Sequence, residues 1–201
     1  MTNLATKRLI LEPFRDAHLP GLHAMNADPE VMRYISGRAE TLEETAAMVE
    51  RVKLRWAELG YSWWSFMARD SGELVGAGAI QNLRREATPQ ADLSCPLEIG
   101  WRLRRDRWHQ GLASEAAHAM AGFAFDTLQA PELYAVCDPA NAASAQVMTR
   151  LGMQGCGLQT WYGKPLATYR MGAADWRAAQ GLREDGSSSR GLASSRQPAR
   201  R

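Results

Sequence analysis

Along residues 97–125 the spacing of apolar residues changes from a period of two to a period of three and four. Leu97, Ile99, Trp101 and Leu103 alternate with Glu98, Gly100 and Arg102, which predicts a β-strand. Arg104 to Gln110 is a basic turn. Beyond Gly111 the residues Leu112, Ala116, Met120 and Phe123 form one apolar stripe of a helix. Upstream, residues 8–12 predict a first strand ended by Pro13, which lacks the N–H that a ladder needs. Asp16 predicts the cap of a short helix carrying Leu19, Leu22 and Met25. Thr41 predicts the cap of a longer one, with Ala46, Val49, Val52, Trp56 and Leu59 on one face and Gly60 as its stop. Residues 63–68 and 74–80 read as strands joined by the turn Asp70-Ser71-Gly72-Glu73. Gly76-Ala77-Gly78 lies inside the second of these with no helix after it, so it reads as close backbone packing rather than a dinucleotide turn. Residues 81–96 are polar and contain proline, which predicts a mobile loop. Downstream come a buried strand at 133–137, a helix from Asn141 to Gly152, and a closing hairpin of 155–162 with 167–171.

This alternation predicts a single α/β domain over residues 1–178. Residues 179–201 are rich in Ser, Gly and Arg without periodicity and read as a disordered tail. At 45% hydrophobic and 23% charged, the 201 residues suffice for one core. A net charge of +2 is too small to imply nucleic-acid binding on its own, although the Arg-rich tail and the Arg102–Arg107 cluster offer a rival reading as a nucleic-acid- or ribosome-associated protein. No apolar run reaches membrane-spanning length and the N-terminus lacks an apolar signal core, so a cytoplasmic protein without a membrane partner is expected. Cys95, Cys137 and Cys156 have no metal-ligand spacing, so reduced thiols and no metal site are expected. A catalytic thiol is the sharper alternative, and no histidine lies near any of them in sequence.

The strand, turn and helix of residues 97–125 also predict chemistry. The first backbone N–H groups of a helix have no partner inside it, and the macrodipole adds partial positive charge there. Gly111 and Ala113 are small enough to let an anion reach the backbone from Gln110 to Ser114, with Arg104, Arg105 and Arg107 at the mouth. The plain alternative is a helix cap behind a solvated basic turn. The order Trp108-His109-Gln110-Gly111-Leu112-Ala113-Ser114-Glu115-Ala116 closely resembles the coenzyme A pyrophosphate loop of the GNAT N-acetyltransferases. It is most similar to the branch of the ribosomal-protein N-terminal acetyltransferases, whose loop runs Trp-Gly-x-Gly-x-Ala-x-Glu-Ala; His109 stands where that branch has its first Gly. Residues 6–11 and 29–34 resemble the same branch, and Asn141-x-x-Ser144 followed by Leu151-Gly152-Met153 resembles its second signature.

The resemblance implies a twisted mixed sheet with a splayed central strand pair and a V-shaped cleft holding acetyl-CoA. It implies acetyl transfer to a primary amine by direct attack in a ternary complex, the amine being most similar in kind to a protein N-terminus such as that of a ribosomal protein. A small-molecule or antibiotic amine is the alternative, a CoA-binding module without catalysis is a rival of another class, and a homodimer is left open. It places the cofactor against residues 108–114, against the backbone of Trp101, Arg102 and Leu103, and near Asn141. Glu98, on the central strand, is the candidate base, since burial raises a carboxyl pKa into a useful range. Its alternative is an ion pair with an arginine such as Arg102. Ser144 occupies the place of the branch's proposed thiolate-facing serine, and Met148 stands where other GNAT branches carry a tyrosine, which leaves Ser144 as the candidate acid. Ser144 bonding to its own helix backbone and Asn141 acting as a simple N-cap are the structural alternatives.

Overall fold

The computed structural model describes residues 2–88 and 90–188. Its sheet contains β1 (Leu4–Ala5), β2 (Leu9–Pro13), β3 (Trp63–Ala68), β4 (Leu74–Asn82), β5 (Leu97–Leu103), β6 (Glu132–Cys137), β7 (Gln154–Trp161) and β8 (Lys164–Gly172). The strand order is β1-β2-β3-β4-β5-β6-β8-β7, and every pairing is antiparallel except that of β5 with β6. Helices α1 (Leu19–Asn26), α2 (Pro29–Met32) and α3 (Leu42–Leu59) precede β3 in the chain. Helix α4 (Leu112–Gly122) connects β5 to β6, α5 (Ala142–Leu151) connects β6 to β7, and α6 (Ala173–Ser188) follows β8. This is the α/β arrangement that the apolar pattern predicts, with the mixed sheet that the resemblance implies.

Local chemistry sets many of the ends. Thr41 and Glu44 form a reciprocal capping box at the start of α3, and Gly60 ends it in the left-handed region at φ 74°. Asp16 does not cap α1; it opens a short 3-10 turn, and α1 starts at Leu19 with Pro20 in its first turn. Strand β4 runs past Ile80 because Gln81 and Asn82 pair with Glu98 and Leu97. The loop after it, expected to be mobile, is tied down at both ends. Leu83 and Cys95 are buried with Trp161 and Leu166, and the Leu83 N–H donates to the Pro96 carbonyl at 2.9 Å. Helix α6 extends beyond residue 178, and the remainder of the expected tail, 189–201, lies outside the described residues.

Close packing under β4 explains its glycines. A Cβ on Gly78 would lie 2.5 Å from Phe66 Cζ, 2.8 Å from the Gly100 carbonyl oxygen and 2.8 Å from Met120 Cε. The Phe66 ring and α4 therefore rest directly on the β4 backbone, which holds α4 against β5. The Gly100 oxygen is backbone in a paired strand and has no room to move. Gly78→Ala is expected to destabilise the protein by about 1–3 kcal/mol, seen as a lower urea midpoint with an unchanged slope. An unchanged midpoint would mean that the sheet and α4 separate without cost.

Candidate active site

Strands β5 and β6 run parallel but share one paired position, Glu98 with Tyr134. Beyond it β5 continues to Leu103 and β6 to Cys137 unpaired, so a wedge opens toward their C-terminal ends. On its other side β5 pairs continuously with β4 from Leu97 to Leu103, so the parting lies wholly between β5 and β6. Helix α4 follows the end of β5 and α5 follows the end of β6, which puts two helix N-termini at the opening of an open parallel pair.

The two N-termini are finished differently. Asn141 caps α5, its Oδ1 accepting from the Ser144 N–H at 3.1 Å. Gly111 occupies the N-cap of α4 at φ 75°, and no side chain caps that helix, so its first N–H groups are left to a ligand. His109 is also left-handed, at φ 59°, the conformation that glycine adopts most readily. The turn is braced from beneath. Arg8 Nη1 donates to the Gln110 carbonyl at 2.8 Å, and Glu115 accepts from Thr6 Oγ1, Arg8 N and Arg8 Nε at 2.6, 2.7 and 2.7 Å. Trp108 Nε1 donates to the Leu103 carbonyl at 2.9 Å, pinning the turn to the end of β5. Leu112 is buried, whereas Ala113 and Ser114 are half-buried. Of the arginines expected at the mouth, Arg104 pairs with Asp106 and Arg107 with Glu73, which leaves Arg105 as the exposed cation. An uncapped helix start behind a left-handed glycine fits a phosphate group.

Glu98 lies where the two strands part and is 7% exposed. Burial pushes its carboxyl above the ordinary range, opposed by hydrogen bonds from Tyr162 and Gln81 and by the Arg84 charge. The Tyr162 hydroxyl donates to Glu98 Oε2, and Gln81 Nε2 donates to the same oxygen at 3.1 Å. Burial first, then the neighbouring carboxylate, pushes the phenol pKa up, so Tyr162 remains a neutral donor. The alternative ion pair with Arg102 does not form among the described residues. Ser144 is half-buried in the first turn of α5, and its hydroxyl does not bond back to its own helix. Trp101 is half-buried and Leu103 buried, side by side with Arg102 on β5. The thiols of Cys95 and Cys137 are buried, and burial pushes both pKa values up, away from nucleophilic character.

Sequence reasoning missed Tyr162, Gln81 and Arg8. Gln81 acts through the β4–β5 register and Arg8 through contacts with α4 and the turn before it, neither of which the chain order reveals. Tyr162 left one local signal. It sits in the two-residue turn between β7 and β8 at φ 54°, a position that normally takes Asn, Asp or Gly.

Residues 8–154 match the acetyltransferase (GNAT) domain family. A Bacillus subtilis protein, YkkB, is 31% identical over 171 residues, covering 84% of this chain and 94% of that one. The FsC-acetyl coenzyme A-N(2)-transacetylase of Aspergillus fumigatus is 30% identical over 166 residues, covering 80% of this chain and 68% of that one. The solved structure of RimL, a ribosomal L7/L12 alpha-N-protein acetyltransferase in complex with coenzyme A, superposes with a TM-score of 0.70 at 17% identity. That overlap covers 85% of this chain and 98% of RimL. The chain belongs to the GNAT acetyltransferases, a family of acyltransferases that use acetyl-CoA.

If Glu98 accepts the proton, Tyr162→Phe removes a donor from its carboxylate and raises its pKa further. The rising limb of kcat/KM against pH is then expected to move up by about one pH unit. Rate profiles of the two proteins that superimpose would remove Glu98 or its tyrosine from the reaction.

Proposed function

We infer that the chain transfers the acetyl group of acetyl-CoA to the primary amine of a protein N-terminus, by direct attack in a ternary complex. The observation that carries this is Glu98, buried where β5 and β6 part and held by neutral donors rather than by a cation. A carboxylate so placed gains basicity from burial while its donors keep it ionisable. Acetyl-CoA supplies an activated acyl carbon with a thiolate as leaving group. Residues 110–114 and the uncapped start of α4 bind its phosphates, with the half-buried Trp101 and the backbone from Trp101 to Leu103 alongside. As the amine nitrogen bonds to the acyl carbon and the C–S bond breaks, the nitrogen's proton passes to Glu98. The Ser144 hydroxyl donates a hydrogen bond to the departing sulfur, and the Asn141 cap fixes the turn that carries it.

The choice of a protein acceptor is supported by the likeness of the 108–116 loop to the ribosomal-protein branch and by the fold shared with RimL. A second reading, a small-molecule amine, is supported by the relative named as an N(2)-transacetylase.

The test is acetyl-CoA binding by calorimetry followed by turnover on N-terminal peptides. Gly111→Glu forces a side chain into the left-handed region, aims its Cβ at Arg8 Nη2 3.6 Å away and adds negative charge beside the phosphate site. Acetyl-CoA affinity is expected to fall about 100-fold or more, and undiminished affinity would remove the loop assignment. Ser144→Ala is expected to lower kcat about tenfold with cofactor affinity retained; a wild-type kcat would reduce Ser144 to a helix residue.

A further inference from the structure

Strand alternation places Glu98, Gly100 and Arg102 on one side of β5, next to Gln81, Ala79 and Ala77 of β4. Arg102 is 6% exposed, and burial pulls its pKa down to about 10, so it remains a cation at neutral pH. Little in the protein answers that charge. The guanidinium lies 4.7 Å from the centroid of the Trp63 ring, and Nη2 reaches Met48 Sδ of α3 at 3.5 Å. Among the described residues its Nε is buried without a hydrogen-bond partner, and no carboxylate comes within ion-pair distance. Glu40, whose charge reaches it from farther off, accepts from Asn26 Nδ2 at 3.0 Å. The hydration lost in burying a guanidinium is made good only by an opposing charge with the geometry to match.

The space beside Arg102 is open. A Cβ on Gly100 would meet no atom within 4 Å, so the glycine leaves a slot between the arginine and Glu98. Trp63 lines the same interval from β3, with Arg102 over its ring and its Nε1 donating to Gln81 Oε1 at 3.2 Å. Gln81 in turn donates to Glu98. The cation and the carboxylate thus face one slot from positions four residues apart on β5. Positive charge also gathers at the Glu98 end. Arg84 lies 5.0 Å from the Tyr162 ring, and Arg55 of α3 lines a notch with Arg84 and Gln81. Glu58 answers part of the Arg55 charge, while Glu98 is pushed toward its neutral form by burial.

We propose that the acceptor is an amine that also carries a carboxylate several bonds from its nitrogen. The carboxylate pairs with Arg102 across the Gly100 slot while the amine faces Glu98. A planar guanidinium binds a carboxylate through two parallel hydrogen bonds, which fixes direction as well as charge. The surrounding arginines disfavour a protonated amine, the form that does not react. This deepens the acetyl-transfer reading above and rests on it for the place of the amine.

The experiment uses the full chain with acetyl-CoA and paired acceptors that differ only in a carboxylate. One pair is a short ω-amino acid against its amide; the other is the peptide Ser-Glu-Ala against Ser-Gln-Ala, both with amidated C-termini. The acid of at least one pair is expected to exceed its neutral twin about tenfold or more in kcat/KM, through KM. That preference is expected to vanish in Arg102→Met and to survive in part in Arg102→Lys. Both twins are read within one variant, so a general loss of fold or cofactor binding cancels in the ratio. A preference confined to the peptides assigns the carboxylate to a protein acceptor, and one confined to the amino acids assigns it to a small molecule. Equal use of acid and amide in both pairs by the wild type, or a preference that persists in Arg102→Met, overturns the proposal. If neither pair is acetylated, calorimetric binding of the same compounds to CoA-saturated protein decides. Tighter binding of an acid that depends on Arg102 sustains the carboxylate site while the acetyl-transfer reading falls, and equal binding overturns the site.

Discussion

The shape of the cleft depends on two parallel strands that pair once and then part. Parallel strands normally stay in register through evenly spaced hydrogen bonds along their length. Here β5 and β6 pair only at Glu98 and Tyr134, and the rest of each strand faces the wedge instead of its neighbour. The parting is sustained from outside. Strand β5 is held by its continuous ladder to β4, and β6 by its ladder to β8, so each side of the wedge is anchored to its own half of the sheet. Unpaired backbone left inside would be unfavourable in a dry core. At the head of an open cleft it becomes a row of groups that a ligand can meet.

Around that wedge the protein separates its charges. A buried carboxylate and a buried guanidinium on one strand face would ordinarily neutralise one another, since isolated buried ions are disfavoured. Glu98 and Arg102 do not. Glu98 is claimed by Tyr162 and Gln81, Arg102 by the Trp63 ring, and Gly100 keeps an open slot between them. Each group retains capacity for something other than its neighbour, at a cost to stability that the large apolar core absorbs. The phosphate side follows the same logic. Ion pairs with Glu73 and Asp106 occupy two of the basic turn's arginines, so the uncapped backbone of α4 is the element there best suited to meet an anion.

Much of this was legible in the residues. The change of apolar period at Gly111 identified the strand, turn and helix of residues 97–122, because that signal is local and each residue's neighbours in sequence are its neighbours in space. The Thr41–Glu44 capping box and the stops at Gly60 and Gly152 were legible for the same reason. The anchoring of the 81–96 loop at its two ends was not, because its polar composition hides Leu83 and Cys95, which pack against the distant β7–β8 hairpin.

By itself the sequence determined the order of the elements, the helix that starts behind Gly111 and the presence of a lone carboxylate on the central strand. Tertiary structure alone decided what that carboxylate touches. Gln81 reaches Glu98 through the β4–β5 register, and Tyr162 reaches it from a hairpin turn 64 positions away in the chain. No spacing rule connects those residues, since their proximity follows from how the sheet closes rather than from any local preference. The same closure decided that Arg102 lies over Trp63 and not against Glu98, so the alternative ion pair gives way to two separate groups on one strand face.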